Sequence, residues 1–130
     1  MISFGNLLRK ILIGISSESS KPIEPRMYLV LREDLAFKYI QGSHAFAQYA
    51  IDQPEKVIEW NNQYLICLSV FNGLALEDLK AKLINIKGFP YFSLFYEPDL
   101  KSESPTALCV FDDGKNGVRE HFKDLQLASK

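Results

Sequence analysis

The sequence predicts an α/β domain: a single mixed four-stranded sheet flanked by helices on both faces, behind an N-terminal helical extension. Three observations carry this expectation. Short apolar runs rich in strand-forming residues recur along the chain. Amphipathic segments with helical spacing lie between them. The two kinds of segment alternate rather than separating into blocks, in the order β-α-(α)-β-α-β-β-α. At 130 residues, 47% of them hydrophobic, the chain fits one domain with a sizeable core.

The N-terminal segment 2–15 places Phe4, Leu7, Leu8, Ile11, Leu12 and Ile15 at helical spacing,. Residues 1–15 are therefore expected to form an amphipathic helix that docks on the domain or pairs with a second copy. A polar face with only Arg9 and Lys10 makes membrane-surface contact an unfavoured role. Arg9 and Lys10 also interrupt the apolar run, and no cationic stretch precedes it, which is not the pattern of a secretory signal. Residues 16–26, SSESSKPIEPR, have a linker composition,. The domain is then expected over 27–130.

Within it, Met27–Arg32 is the first expected strand. A helix follows over Gln41–Ile51, with Ala45, Phe46, Tyr49 and Ala50 as its buried stripe. Asp52-Gln-Pro54 stops it and Pro54–Trp60 starts a short second helix, with Trp60 in the core. Tyr64–Val70 is apolar on both faces and reads as a central strand. Leu76–Ile84 reads as an amphipathic helix closed by Lys87-Gly88. Pro90–Tyr96 and Thr106–Phe111 are the third and fourth strands. Val118–Leu125 is expected to be a last helix.

Charge narrows the function classes. Fifteen Lys and Arg against 16 Asp and Glu nearly cancel, so nucleic-acid binding would have to use a local basic patch. Cys67 and Cys109 sit inside apolar runs and read as buried thiols. Neither has a CxxC or HxxxH companion, so no metal site is expected. A reducing cytoplasm fits this cysteine usage. Gly42 and Gly88 stand alone and form no phosphate loop.

Four polar clusters stand at the ends of these elements, where sites in α/β sheets gather. Arg32, Glu33 and Asp34 follow the first strand. Lys38, Gln41, Ser43 and His44 open the first helix. Glu97, Asp99 and Lys101 follow the third strand, and Ser104 and Thr106 precede the fourth. A helix N-terminus favours the neutral imidazole, so His44 can accept a proton there. Ser43, adjacent to His44 on a helix, points elsewhere and reads as a cap rather than a nucleophile. Glu97 and Asp99 can serve acid–base chemistry, or can simply be turn residues around Pro98. Lys38 can bind phosphate or stay solvated, and His121 reads as part of a solvated helix face.

Arg32-Glu-Asp34-Leu35 followed by Gln41-Gly-Ser43-His44-Ala45 resembles the type II (archaeal and eukaryotic) peptidyl-tRNA hydrolases. Those enzymes carry Arg-Thr-Asp-Leu and then Gln-Cys-Ser-His-Ala. The resemblance covers about residues 27–127 and extends to Trp60, Gly88-Phe-Pro90 and Thr106 in the same order. It implies that fold, no metal or organic cofactor, and hydrolysis of the ester joining a peptide to the 3′ end of tRNA. His44, Lys38, Thr106 and the acidic loop with Glu97 and Asp99 would then surround the ester. Water activated by Glu97, Asp99 or His44 would attack, with Lys38 or Thr106 stabilising the oxyanion. Arg32, Asp34, Gln41, Ser43 and Lys101 would bind substrate. The chain departs from the family pattern in two places. Its loop before the helix is shorter, and Glu97-Pro98-Asp99-Leu100-Lys101 replaces Asp-Ala-Gly-Arg-Thr. A divergent member that keeps the fold as a binding or regulatory module, assembled through its N-terminal helix, is the alternative expectation.

Overall fold

The computed structural model describes residues 24–100 and 104–130. The expected helix over 1–15, most of the 16–26 linker and Lys101 lie outside the described residues. The described chain is α/β, with one mixed sheet. Its strands are β1 (Arg26–Arg32), β2 (Tyr64–Val70), β3 (Phe92–Phe95), β4 (Ala107–Asp112) and β5 (Gln126–Leu127). Its helices are α1 (Lys38–Asp52), α2 (Pro54–Trp60) and α3 (Gly73–Ile84).

The strand order is β3-β4-β1-β2-β5. β1 runs parallel to β2, with Arg26 beside Tyr64 and Arg32 beside Val70. It runs antiparallel to β4, with Arg26 beside Asp112 and Leu31 beside Ala107. Side chains alternate across a strand, so β1 feeds two cores. Met27, Leu29 and Leu31 join Ala45, Tyr49, Trp60, Ala107 and Cys109 under α1 and α2. Tyr28 and Val30 join Leu68, Leu76, Leu79, Leu83 and Val110 under α3.

Four expectations change. The sheet has five strands, not four, because Gln126–Leu127 pairs with Ser69 and Leu68. Val118–Leu125 is not a helix; only a 3₁₀ turn over Arg119–His121 forms. That single turn already buries Val118 and Phe122. The chain must then turn back along β2, where the Ala128 amide donates to the Cys67 carbonyl at 2.9 Å. A helix so short has little stability of its own to oppose this. The central strand is β1 rather than β2. β5 covers β2 only at Leu68 and Ser69, so Tyr64 and Leu65 stay exposed despite their apolar character. Cys67 is accordingly half-buried, whereas Cys109 on β4 is fully buried.

The helix ends also shift. α1 begins at Lys38, one turn before the expected Gln41. Its buried face is Lys38, Gln41, Gly42, Ala45 and Tyr49, with Phe46 and Ala50 only half-buried. α3 begins at Gly73 because the Asn72 side chain accepts from the Ala75 amide at 3.0 Å, an N-cap that satisfies one free donor. It ends at Ile84 with Asn85 as its C-cap, before Lys87-Gly88, which instead turns the chain with φ of +96° at Gly88.

Gly42 sets the spacing of α1 on β1. A Cβ there would lie 2.5 Å from Leu31 Cδ2 and 3.6 Å from Leu29 Cδ1. Both leucines are buried and have little room to give way. Gly42→Val is expected to destabilise the fold by about 1–3 kcal/mol through overpacking, read as a lower urea midpoint with an unchanged m-value.

Candidate functional site

The carboxyl end of β1 and the start of β4 bring most of the polar residues singled out in the sequence to one place. Arg32 continues β1 on the face that packs under α3. It is buried, and its guanidinium grips Asp34 with two bonds, at 3.0 and 2.8 Å. Its Nη1 donates to the Pro105 carbonyl at 3.2 Å. The first residue of α3 must be small to admit it: a Cβ on Gly73 would lie 3.2 Å from Arg32 Nη1 and 2.8 Å from Ser104 Cβ.

On the other face, α1 supplies Lys38 and Gln41, both buried. A polar chain runs from β4 through α1 to the loop after β3. The Thr106 hydroxyl, 1% exposed, donates to Gln41 Oε1 at 2.7 Å. Gln41 Nε2 in turn donates to Glu97 Oε2 at 3.1 Å. The other Glu97 oxygen accepts from the Asp99 amide at 3.4 Å. The threonine proton thus orients the amide of Gln41, and the amide aims Glu97. Glu97 is half-buried and Asp99 exposed.

His44 lies one turn along from Gln41. Its ring stacks on Phe95 with centroids 4.4 Å apart and planes 10° apart. Because α1 starts at Lys38, His44 sits in the second helical turn, beyond the first-turn reach of the helix dipole. Ser43 does not cap the helix. Its exposed hydroxyl donates to the Tyr39 carbonyl, four residues back, at 2.9 Å,.

Lys38 has two partners already. Its ammonium donates to Glu33 Oε2 at 2.6 Å and to Ser129 Oγ at 2.5 Å. Glu33 also accepts from the Ser129 amide and hydroxyl, at 2.9 and 2.8 Å, while the Tyr39 hydroxyl donates to the Ser129 carbonyl at 2.6 Å. The Lys38 ammonium, followed by the two Ser129 donors, holds the Glu33 carboxyl down at about 2,. The sequence placed Glu33 in the polar cluster after the first strand but gave it no role, because it fills the variable position of Arg32-Glu-Asp34-Leu35. Ser129 carries no local signal at all.

Arg32, Asp34, Lys38, Gln41, His44, Glu97, Asp99 and Thr106 therefore gather around one end of the sheet. Exposed Phe37, Ile40, Phe71 and Leu74 flank this end from the starts of α1 and α3. Among the described residues, no three His, Cys, Asp or Glu side chains group closely enough to hold a metal ion. Nor is any helix among them long and apolar enough to cross a membrane. The chain matches no protein-family model and is similar to none of the curated proteins.

Two consequences can be measured. Glu33 has a folded value below its ordinary 4.5. Its latch on Ser129 is therefore complete above that value and is lost as the pH falls toward about 2,. Amide exchange at Ser129 should rise over that window, and Glu33→Gln should raise it already at neutral pH. Thr106→Val removes the donor that Gln41 Oε1 requires in a buried site. It is expected to cost about 1–3 kcal/mol in denaturant unfolding.

Proposed function

We propose that this end of the sheet cleaves the ester joining a peptidyl or aminoacyl group to the 3′ end of tRNA. The observation that carries the reading is Glu97 held by Gln41, itself held by Thr106, with His44 one helical turn away. The resemblance of Arg32-Glu-Asp34-Leu35 and Gln41-Gly-Ser43-His44-Ala45 to the type II peptidyl-tRNA hydrolases supports the same substrate class.

In this reading Glu97 is the general base. A carboxylate held by one donor at each oxygen still keeps a lone pair on each for a water. Glu97 takes a proton as the water oxygen bonds to the ester carbonyl carbon. The bond from that carbon to the 3′ oxygen then breaks, and the 3′ oxygen takes up the proton held by Glu97, directly or relayed through His44, which restores the carboxylate. Thr106 is a positioning residue that acts through Gln41, since its own proton is committed. Lys38 supports the wall of the site; Glu33 and Ser129 take two of its three donors, which leaves one for the oxyanion. Phe37, Ile40, Phe71 and Leu74 offer an apolar rim to a peptide.

One observation favours a second reading, a binding module of the same fold without turnover. Arg32 and Lys38 are each matched by a carboxylate, Asp34 and Glu33, which leaves little net positive charge there for RNA phosphates.

Release of deacylated tRNA from an N-acetylaminoacyl-tRNA separates the two. His44→Ala and Glu97→Ala should each lower kcat/KM by about 10²–10⁴-fold while the thermal unfolding curve stays close to that of the parent chain. Full activity in both variants would overturn the assignment. No release by the parent chain, together with binding of the same tRNA, would establish the second reading.

A further inference from the structure

A cleft of about 380 Å³ opens at the end of the sheet opposite the candidate site. It lies where α1 passes into α2, between the loop before β3 and the turn after β4. Its volume falls in the range that encloses a small ligand. Nothing in the proposed hydrolytic reading uses it.

The floor of the cleft is aromatic. Tyr49 is buried, and its ring lies 5.5 Å from that of Tyr91. Tyr91 cannot swing freely, because its hydroxyl donates to the Asp52 carboxylate, which Gln48 also holds at 3.0 Å. Burial and that carboxylate push the Tyr91 phenol up to about 12, so the ring stays neutral and a donor.

The opposite lip is Phe89. It is 79% exposed and has φ of +50°, a left-handed conformation that a bulky L residue adopts only under strain. A glycine would sit there without strain. The phenyl ring is thus held outward over the cleft, at a cost to the fold, without burying itself.

The polar groups of the cleft divide into spent and unspent. Asn116 is spent: its amide donates to the Phe111 carbonyl at 2.8 Å and its oxygen accepts from Val118 at 3.3 Å. Asp113 Oδ1 is spent on the Lys115 and Asn116 amides, both at 2.7 Å. Its other oxygen remains an acceptor. The Gln53 side chain and the Lys87 ammonium make no bond among the described residues. Lys56 is in a half-exposed ion pair with Glu59, at 3.9 Å, of the kind that contributes little in water and can give way to a phosphate.

Two aromatic faces, the unpaired Lys87 ammonium, the weakly paired Lys56 ammonium, a free amide and a free carboxylate oxygen form a complementary set. A nucleobase stacks on aromatic rings. Its edge bonds to groups that donate and accept, such as Gln53 and Asp113. A phosphate pairs with lysines. We propose that this cleft binds a nucleotide, with the base against Phe89 and Tyr91 and the phosphate between Lys56 and Lys87. The nucleotide can be a free mononucleotide or one unit of a single-stranded RNA.

Titration of the ¹⁵N-labelled chain with AMP, and separately with a single-stranded RNA pentamer, tests this. Amides of Gln53, Lys56, Lys87, Gly88, Phe89, Tyr91 and Asp113 should shift with either ligand. A pentamer that binds more than about tenfold tighter than AMP identifies RNA as the source; equal affinities identify the free nucleotide. Phe89→Gly separates binding from folding. It relieves the backbone and should raise the thermal midpoint, yet weaken AMP binding by about tenfold or more. Lys87→Glu should weaken it similarly, and His44→Ala should leave it unchanged. The proposal is overturned if ~10 mM AMP and the pentamer both leave these amides unshifted. It is equally overturned if the shifts persist undiminished in Phe89→Gly and Lys87→Glu.

Discussion

Strand β1 has to be apolar on both sides, because α1 and α2 cover one face of it and α3 covers the other. Its inner residues from Met27 to Leu31 are all buried, and among the described strands it alone is bonded along its whole length on one edge, to β2, and along nearly all of it on the other, to β4. The remaining elements are arranged by their relation to it. Gly42 lets α1 approach it, and the leucines of α3 close the other side. Where β1 ends, the apolar requirement ends too, and the next side chains are Arg32, Glu33 and Asp34.

The candidate site follows from that transition. Arg32 and Gln41 reach the same end of the sheet from opposite faces, and β4 stands between them through Pro105 and Thr106. Burying these groups would be costly without partners. Each has them: among the described residues no buried side-chain nitrogen or oxygen is left unbonded. Complete satisfaction fixes the geometry, because rotating Gln41 would break a bond to Thr106 and another to Glu97 together.

The sequence made much of this legible, in ways tied to local chemistry. Strand-forming runs located β1 and β4 to within a residue or so, and Pro54 marked the start of α2. The polar residues at element ends were visible because hydrophobic patterning breaks there. What stayed hidden was long-range. The two-residue strand β5 exists only because β2 offers it an edge. Tyr64 and Leu65 look like core residues and are exposed, since nothing in the described chain covers that half of β2. The pairing of Lys38 with Glu33 and Ser129 joins positions 91 residues apart; no spacing rule encodes it. Asn72 was the one readable signal passed over, a capping residue directly before α3.

The place of β1 between β2 and β4 also shapes how the chain reaches its native state. β1 pairs with β2 in parallel, through a crossover that includes two helices, and then with β4, whose last residue pairs with the first residue of β1 across 86 positions of sequence. Such closures lose chain entropy before contacts compensate for it, which makes assembly slow for a domain of this size. Until β4 arrives, one long apolar edge of β1 is open, and an open edge recruits other strands. The segment from Ala107 to Asp112 is therefore a seal as much as a strand. A nascent chain lacking it would carry a half-built sheet with an open edge, the kind of species that aggregates.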